Sequence, residues 1–344
     1  MRAHQLLPYL SMQRVRTATR LVTVALGACV KSETCSVLAN RPKTCLLRRH
    51  IHTARVIMSY SIVERGSRFT MDYRVFFTDS QQNVISPFHD IPLYPSSSDQ
   101  SVCNMVVEIP RWSNAKMEIS TQEKMNPIKQ DVKKEKPRFV KNVFPHHGYI
   151  WNYGAFPQTY EDPKITTPDT GCKGDSDPLD VCEIGYKVHP RGSVIQVKIL
   201  GTLALIDEGE TDWKILAIDV TDPLAEKLND IEDIDKHMPG FLKATVEWFK
   251  IYKMPDGKPE NTFAFDGEAK NKEYALKVVE ECSKQWKDLI GKNVECDSIK
   301  CENTTVAGSP YKIENQEANA CVENHPALQE AEVLGPEVDK WYYV

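Results

Sequence analysis

The chain has 344 residues, 41% of them apolar and 26% charged, with a formal charge of −5; this excludes wholesale disorder and suits one large domain or two modest ones. The charge is uneven. Residues 1–57 carry eight Arg and two Lys against the single acid Glu33, which leaves residues 58–344 at −14. That acidic balance argues against nucleic acid as a partner, because affinity for a polyanion needs a basic surface. The longest apolar stretch of the first segment, Leu21 to Val30, is too short to cross a bilayer.

The basic, acid-poor start, ending in Leu46-Leu47-Arg48-Arg49-His50-Ile51-His52, reads as a mitochondrial targeting leader over residues 1–57. It implies the matrix for a product begun at Met1 and the cytoplasm for one begun at Met58. Residues 58–344 are then one domain with a C-terminal extension from about 310. Alternation predicts a strand over 69–77, and two more over 102–109 and 115–120, interrupted by Pro110-Arg111-Trp112-Ser113-Asn114. The Lys-rich stretch 126–138 predicts an exposed hairpin or loop. Strands follow over 194–205 and 213–218, split by the acidic loop Asp207-Glu208-Gly209-Glu210-Thr211-Asp212, with Gly209 as the turn residue. Short strands with irregular connections point to a small barrel rather than to alternating strand and helix units.

Pro239 marks a helix start, with Phe241, Leu242, Thr245, Trp248, Phe249 and Tyr252 at 3/4 spacing behind it. A longer helix is predicted over about 271–290, with a broad apolar face. From about residue 302 the pattern predicts an extension that wraps the domain. The ten Cys contain no C-x-x-C pair and no zinc spacing, so reduced thiols are expected. Asn303-Thr304-Thr305 is read as a chance match to a glycosylation acceptor.

The densest chemistry lies in Asp175-Ser176-Asp177-Pro178-Leu179-Asp180, three carboxylates within six residues. Such repulsion is a poor way to hold a loop and a good way to hold hard divalent cations. Pro178 disfavours helical geometry at Asp177, so Asp175 and Asp177 are expected to run extended and project to one side, with Asp180 returning to it. A hairpin at the second loop is expected to bring Asp207 and Asp212 together. Lys116 and Glu118, two apart on a strand that follows Glu108, face the same way. Arg138, Tyr149, Tyr153, Lys214, Tyr252 and Lys253 offer cations and hydroxyls suited to phosphate oxygens. Each feature alone has a plainer reading as a turn, a solvated face, a core aromatic or a helix cap. Together they describe carboxylates that hold metals, metals and cations that hold phosphate, and an activated water. His146 and His147 lack a third spaced ligand and are read as structural. No Walker loop, G-x-G-x-x-G, G-x-S-x-G or H-E-x-x-H is present.

These blocks resemble the soluble inorganic pyrophosphatases of the eukaryotic type. The family's D-x-D-P-x-D motif is Asp175 to Asp180. The agreement extends through Met105-Val-Val-Glu-Ile-Pro-Arg-Trp-Ser-Asn-Ala-Lys-Met-Glu118, Gly148-Tyr-Ile-Trp-Asn-Tyr-Gly154, Ala204-Leu-Ile-Asp-Glu-Gly-Glu-Thr-Asp-Trp-Lys214 and Tyr252-Lys-Met-Pro-Asp-Gly-Lys-Pro-Glu-Asn261. The resemblance implies a mainly β (α+β) fold, a five-stranded OB-like barrel with peripheral helices, and usually a homodimer. It implies Mg²⁺-dependent hydrolysis of pyrophosphate to two orthophosphates. Metal ligands fall on Asp175, Asp180 and Asp212, completed by Asp207 and, through water, Glu118, with Glu108 at the edge. Asp177 falls where the family has the acid that deprotonates the water. Phosphate contacts fall on Lys116, Arg138, Tyr149, Tyr153, Lys214, Tyr252 and Lys253. The alternatives are a non-catalytic scaffold subunit, an OB-type nucleic-acid binder and a broader nucleotide phosphohydrolase.

Overall fold

The computed structural model describes residues 59–96 and 98–344; residues 1–57, expected to be a targeting leader, and Met58 lie outside the described residues. The main strands, in chain order, are β1 Ser61–Arg65, β2 Arg74–Thr78, β3 Val102–Ile109, β4 Met117–Ile119, β5 Ile128–Gln130, β6 Asn152–Ala155, β7 Asp180–Glu183, β8 Val194–Asp207 and β9 Glu210–Asp219. The helices are α1 Ile231–His237, α2 Phe241–Ile251, α3 Lys272–Ile290 and α4 Asn315–Glu323. The result is a mainly β, α+β fold.

Two sheets carry it. In the first, β1 pairs with β2, β2 with β5 and β5 with β4, all antiparallel. In the second, β6 lies between β3 and β7 in antiparallel pairings, β7 runs parallel to β9, and the long β8 pairs with both β9 and β3. Strands β3 and β9 are almost wholly buried along their length, which is why they read as apolar runs rather than as alternation. Helix α3 covers one face of this sheet: Ala275, Val278, Val279 and Cys282 join Val107, Ile199 and Ile215 in one apolar cluster. Trp248 and Phe249 of α2 pack into the larger core, where Trp151 stacks on Phe249 at 4.8 Å.

Several expectations shift. The strand predicted over 69–77 begins only at Arg74, because Phe69 takes a left-handed φ of 71° inside a turn. The strand predicted over 115–120 is the three-residue β4. Part of the stretch 126–138 is an internal strand, β5, and the remainder is a hairpin whose tip, Lys134-Glu135, has positive φ at both residues. Pro239 precedes the N-cap Gly240 of α2 and is not itself helical. Helix α1 was not anticipated; Asp230 and Asp233 form a capping box at its start. Helix α3 begins where expected, with the Asn271 side chain accepting from Tyr274 N.

The C-terminal residues lie against the rest of the fold at several points. Ala318 and Val322 of α4 pack on Phe76, Val84 and Met125, and residues 326–332 then run beside β1 through Gly66, Ser67 and Arg68. The chain ends with Trp341–Tyr342 paired parallel to Asn142–Val143. Asn303 is fully buried and donates to Cys301 O and Ser309 Oγ, so it offers no glycan acceptor. The seven cysteines among the described residues are free thiols. No described helix is long and apolar enough to cross a membrane.

One buried group gives the core a pH dependence. Nδ1 of His89 accepts from the Trp286 indole at 3.0 Å, which leaves the ring proton on Nε2, facing Lys300 O at 3.0 Å. Burial holds its pKa down to about 4, against an ordinary 6.5. As pH falls below 6.5 the unfolded chain gains a proton that the folded chain refuses, so stability is complete above 6.5 and is lost progressively down to 4. The loss amounts to about 3 kcal/mol. Urea unfolding at pH 7.5 and pH 4.5 is expected to show a shallower pH dependence in His89→Gln than in the parent chain; equal dependence would assign the acid sensitivity elsewhere.

Candidate active site

The ends of the second sheet converge on one acidic hollow. Asp180 opens β7 and stands in register with Lys214 of β9. The buried Lys214 ammonium therefore lies 2.5 Å from Asp180, in contact with Asp212 two residues before it, and 3.0 Å from the Tyr153 hydroxyl. Tyr153 in turn donates to Asp180 at 2.5 Å. Its placement depends on a register shift between Tyr153 and Gly154: a Cβ at Gly154 would stand 2.0 Å from Val106 O, so only glycine lets β6 close on β3 here. Attraction from Asp180 and Asp212 outweighs the burial penalty on Lys214 and holds its pKa well above the usual lysine range.

The three aspartates of the motif divide. Ser176 takes a left-handed φ of 75°, and Asp177 N donates to Asp175 Oδ1 at 3.0 Å, so the segment is a tight turn rather than an extended run. Asp175 and Asp212 meet a third acid, Glu161, with one oxygen from each lying within 4.8 Å of the others. Glu161 is placed by backbone bonds to the motif itself, Glu161 N to Asp177 O and Ser176 N to Glu161 O, both 3.0 Å. Sequence reasoning missed it: nothing in its spacing connects it to the motif. Its Oε1 accepts from Trp213 N at 3.2 Å, while the buried Oε2 has no hydrogen-bond partner.

Burial first, and then repulsion from Asp177 and Asp180, pushes the Asp175 carboxyl up to about 8. Burial and neighbouring carboxylates likewise push Glu161 and Asp212 well above the carboxylate range. Asp177 stays open to water, yet the surrounding protein and then Glu118 push it up to about 7. A cluster that resists full ionisation, with one orphaned buried oxygen, fits a hard divalent cation, which satisfies both demands at once.

Around this hollow stand the remaining expected residues. Glu108 is buried and accepts from Ile119 N at 2.6 Å; burial, reinforced by Asp180, raises its pKa well above normal. A small cavity is lined by Glu108, Lys116, Glu118, Tyr153, Asp177 and Asp180. Lys116 lies 2.6 Å from Glu118 and 3.4 Å from Asp131, which also receives Arg138 at 2.8 Å. Asp131, unmarked in the sequence, is thus the shared partner of two cations. The Tyr149 ring sits 5.1 Å from Tyr153, and Tyr252 stacks on Trp248 at 4.8 Å. The turn at Glu208-Gly209 pairs Asp207 with Glu210 and Asp212 with Leu205. The two aspartates have different partners: Asp207 contacts Lys253, Asp212 contacts Lys214. His146 pairs with Glu247 and His147 with Asp339, consistent with structural roles.

Acids clustered beside lysines, an arginine and tyrosines form a set whose chemistry suits a divalent cation and an anion together. The family model described as inorganic pyrophosphatase matches residues 105–287. The chain is 55% identical over 285 residues to an inorganic pyrophosphatase of Drosophila melanogaster, covering 83% of this chain and 84% of that protein. It is 56% identical over 288 residues to one of Debaryomyces hansenii, covering 83% and 99%. The solved inorganic pyrophosphatase of Schistosoma japonicum superposes with a TM-score of 0.77 at 52% identity, covering 83% of this chain and all of that one. The chain belongs to the inorganic pyrophosphatase family.

Proposed function

We propose that this protein hydrolyses inorganic pyrophosphate to two orthophosphates with Mg²⁺ as the resident cation. The observation that carries the reading is the Glu161, Asp175 and Asp212 cluster set beside Lys214, Lys116 and Arg138. Asp175, Asp180, Asp212 and Glu161 would hold cations, with Asp207, Glu118 and Glu108 around them. Bound there, they would acidify a coordinated water and neutralise the substrate's charge. Asp177, the solvent-open member of the motif, takes the proton of the attacking water. Arg138, Lys116, Lys214 and Lys253 hold phosphate oxygens, and the hydroxyls of Tyr149, Tyr153 and Tyr252, kept protonated by burial, donate to them. Phosphate release from pyrophosphate by the full chain is expected to be rapid with Mg²⁺, abolished by EDTA, and much slower with ATP as substrate. Equal rates on ATP would point to a nucleotide phosphohydrolase instead.

The five pairings among β3, β6, β7, β8 and β9 return to their start, which supports a closed OB-like barrel. A homodimer is supported by an exposed aromatic surface: Phe144 is 59% and Tyr343 78% exposed, and Phe144 touches both Trp341 and Tyr343 at about 6 Å. Sedimentation at micromolar concentration is expected to give a dimer, and a monomer would remove that surface from the argument. The basic leader supports a mitochondrial destination for the Met1 product and a cytoplasmic one for a Met58 product; a fluorescent fusion of residues 1–57 that stays cytoplasmic would count against it.

A further inference from the structure

Next to the acidic hollow lies a second, larger cavity of about 680 Å³ with the opposite character. Six cations line it, Lys133, Lys134, Lys136, Arg138, Lys141 and Lys258, against the three carboxylates Asp256, Glu332 and Glu337. On a domain whose formal charge is −14, such a local excess of cations is a site for an anion. Asp256 is already engaged by Lys133 at 2.6 Å and Lys258 by Glu208 at 3.1 Å. Among the described residues no ion pair engages Lys134, Lys136 or Lys141.

Part of the lining is apolar. Phe69 and Phe139 line the cavity, their ring centroids 5.9 Å apart, together with Val333, Leu334 and Val338 of the C-terminal segment. Phe69 is held at φ 71°, a conformation an aromatic residue adopts only when its surroundings impose it. A bare phosphate chain makes no use of aromatic rings, and the volume lies in the range of sites for small organic ligands. Cationic and aromatic side chains in one lining suit a planar heterocycle carrying phosphates.

We propose that this cavity binds a nucleoside diphosphate, its base against Phe69 and Phe139 and its phosphates on Lys134, Lys136 and Lys141. Arg138 lines this cavity and shares Asp131 with Lys116 of the acidic hollow, so a nucleotide seated here competes for a side chain that the proposed function gives to pyrophosphate. Occupancy therefore raises the KM for pyrophosphate and leaves kcat unchanged.

The test is calorimetric titration of the full chain with ADP in EDTA-containing buffer at low ionic strength, with inorganic triphosphate as the comparison. ADP is expected to bind with a submillimolar Kd. Lys134→Glu with Lys136→Glu should weaken ADP at least about tenfold and keep kcat/KM for pyrophosphate within about twofold. Phe69→Gly, which suits a positive φ, should weaken ADP at least about fivefold and leave inorganic triphosphate unchanged, since stacking contributes only to the base. Absence of ADP binding at about 10 mM by a preparation that hydrolyses pyrophosphate overturns the site. Equal weakening of both ligands by Phe69→Gly overturns the nucleotide assignment. If ADP binds as described and pyrophosphate is not hydrolysed, the site stands and the proposed activity fails.

Discussion

Replacing Asp177 by Asn is expected to leave the fold and the affinity for pyrophosphate and cation nearly intact while turnover falls by about 10²–10⁴-fold, the range that a positioned acid or base contributes. The substitution is close to isosteric, and the turn that holds residue 177 uses its backbone N, donated to Asp175 Oδ1, rather than its side chain. Asp177 is also the most exposed aspartate of the motif, whereas Asp180 is engaged by Lys214 and Tyr153. Its carboxyl, raised to about 7 by the protein around it and by Glu118, suits a group that must take up a proton near neutral pH. The measurement is kcat and KM separately. A KM that rises while kcat holds would place Asp177 among the groups that hold substrate or cation, and the base would have to be sought elsewhere.

The second large effect concerns Lys214. Met in its place keeps much of the packing against the neighbouring aromatic rings, Tyr153 and Phe249, and removes the only part that matters electrostatically. Asp180 and Asp212 then face one another without their shared cation. Breaking a buried ion pair from one side costs about 3–5 kcal/mol because the remaining charge stays behind, so the metal-free Lys214→Met variant is expected to melt about 10 °C below the parent. Divalent cation should recover most of that difference, since a cation bound at Asp212 replaces the charge that Lys214 supplied. Thermal melts with and without Mg²⁺ read this directly. If Mg²⁺ fails to restore the melting temperature, these aspartates do not hold it. Turnover should stay low even in the restored protein, because the phosphate loses a contact.

The legible parts of the structure were those in which chemistry and local pattern coincide. Asp175 to Asp180 stands out because three carboxylates so close together suit a cation better than a turn, and β3 and α3 stand out because their apolar residues are numerous and, in α3, recur at helical spacing. Glu161 was hidden because it lies in an irregular segment and reaches the site only through two backbone hydrogen bonds to the motif. Asp131 was hidden for a related reason: it follows a three-residue strand whose sequence looks like a Lys-rich loop. Strand β1 has no clear alternation, since neither of its faces is fully buried. The turn at Ser176 went unread because an aspartate accepting its neighbour's backbone bond leaves no trace beyond a common tripeptide.

The C-terminal residues that run beside β1 also set the order in which the molecule can be completed. Ser67 donates to Glu330 O and Arg65 to Val322 O, contacts that span 263 and 257 positions of the chain. At roughly 5–20 residues per second on the ribosome, the end of β1 has emerged for roughly 15–50 s before the residues that cover it exist. During that interval Arg65 and the three residues after it are open to whatever receives nascent chains. A premature stop after α4 would make the opening permanent, and such a product is expected to accumulate as aggregate rather than as a slightly shorter enzyme.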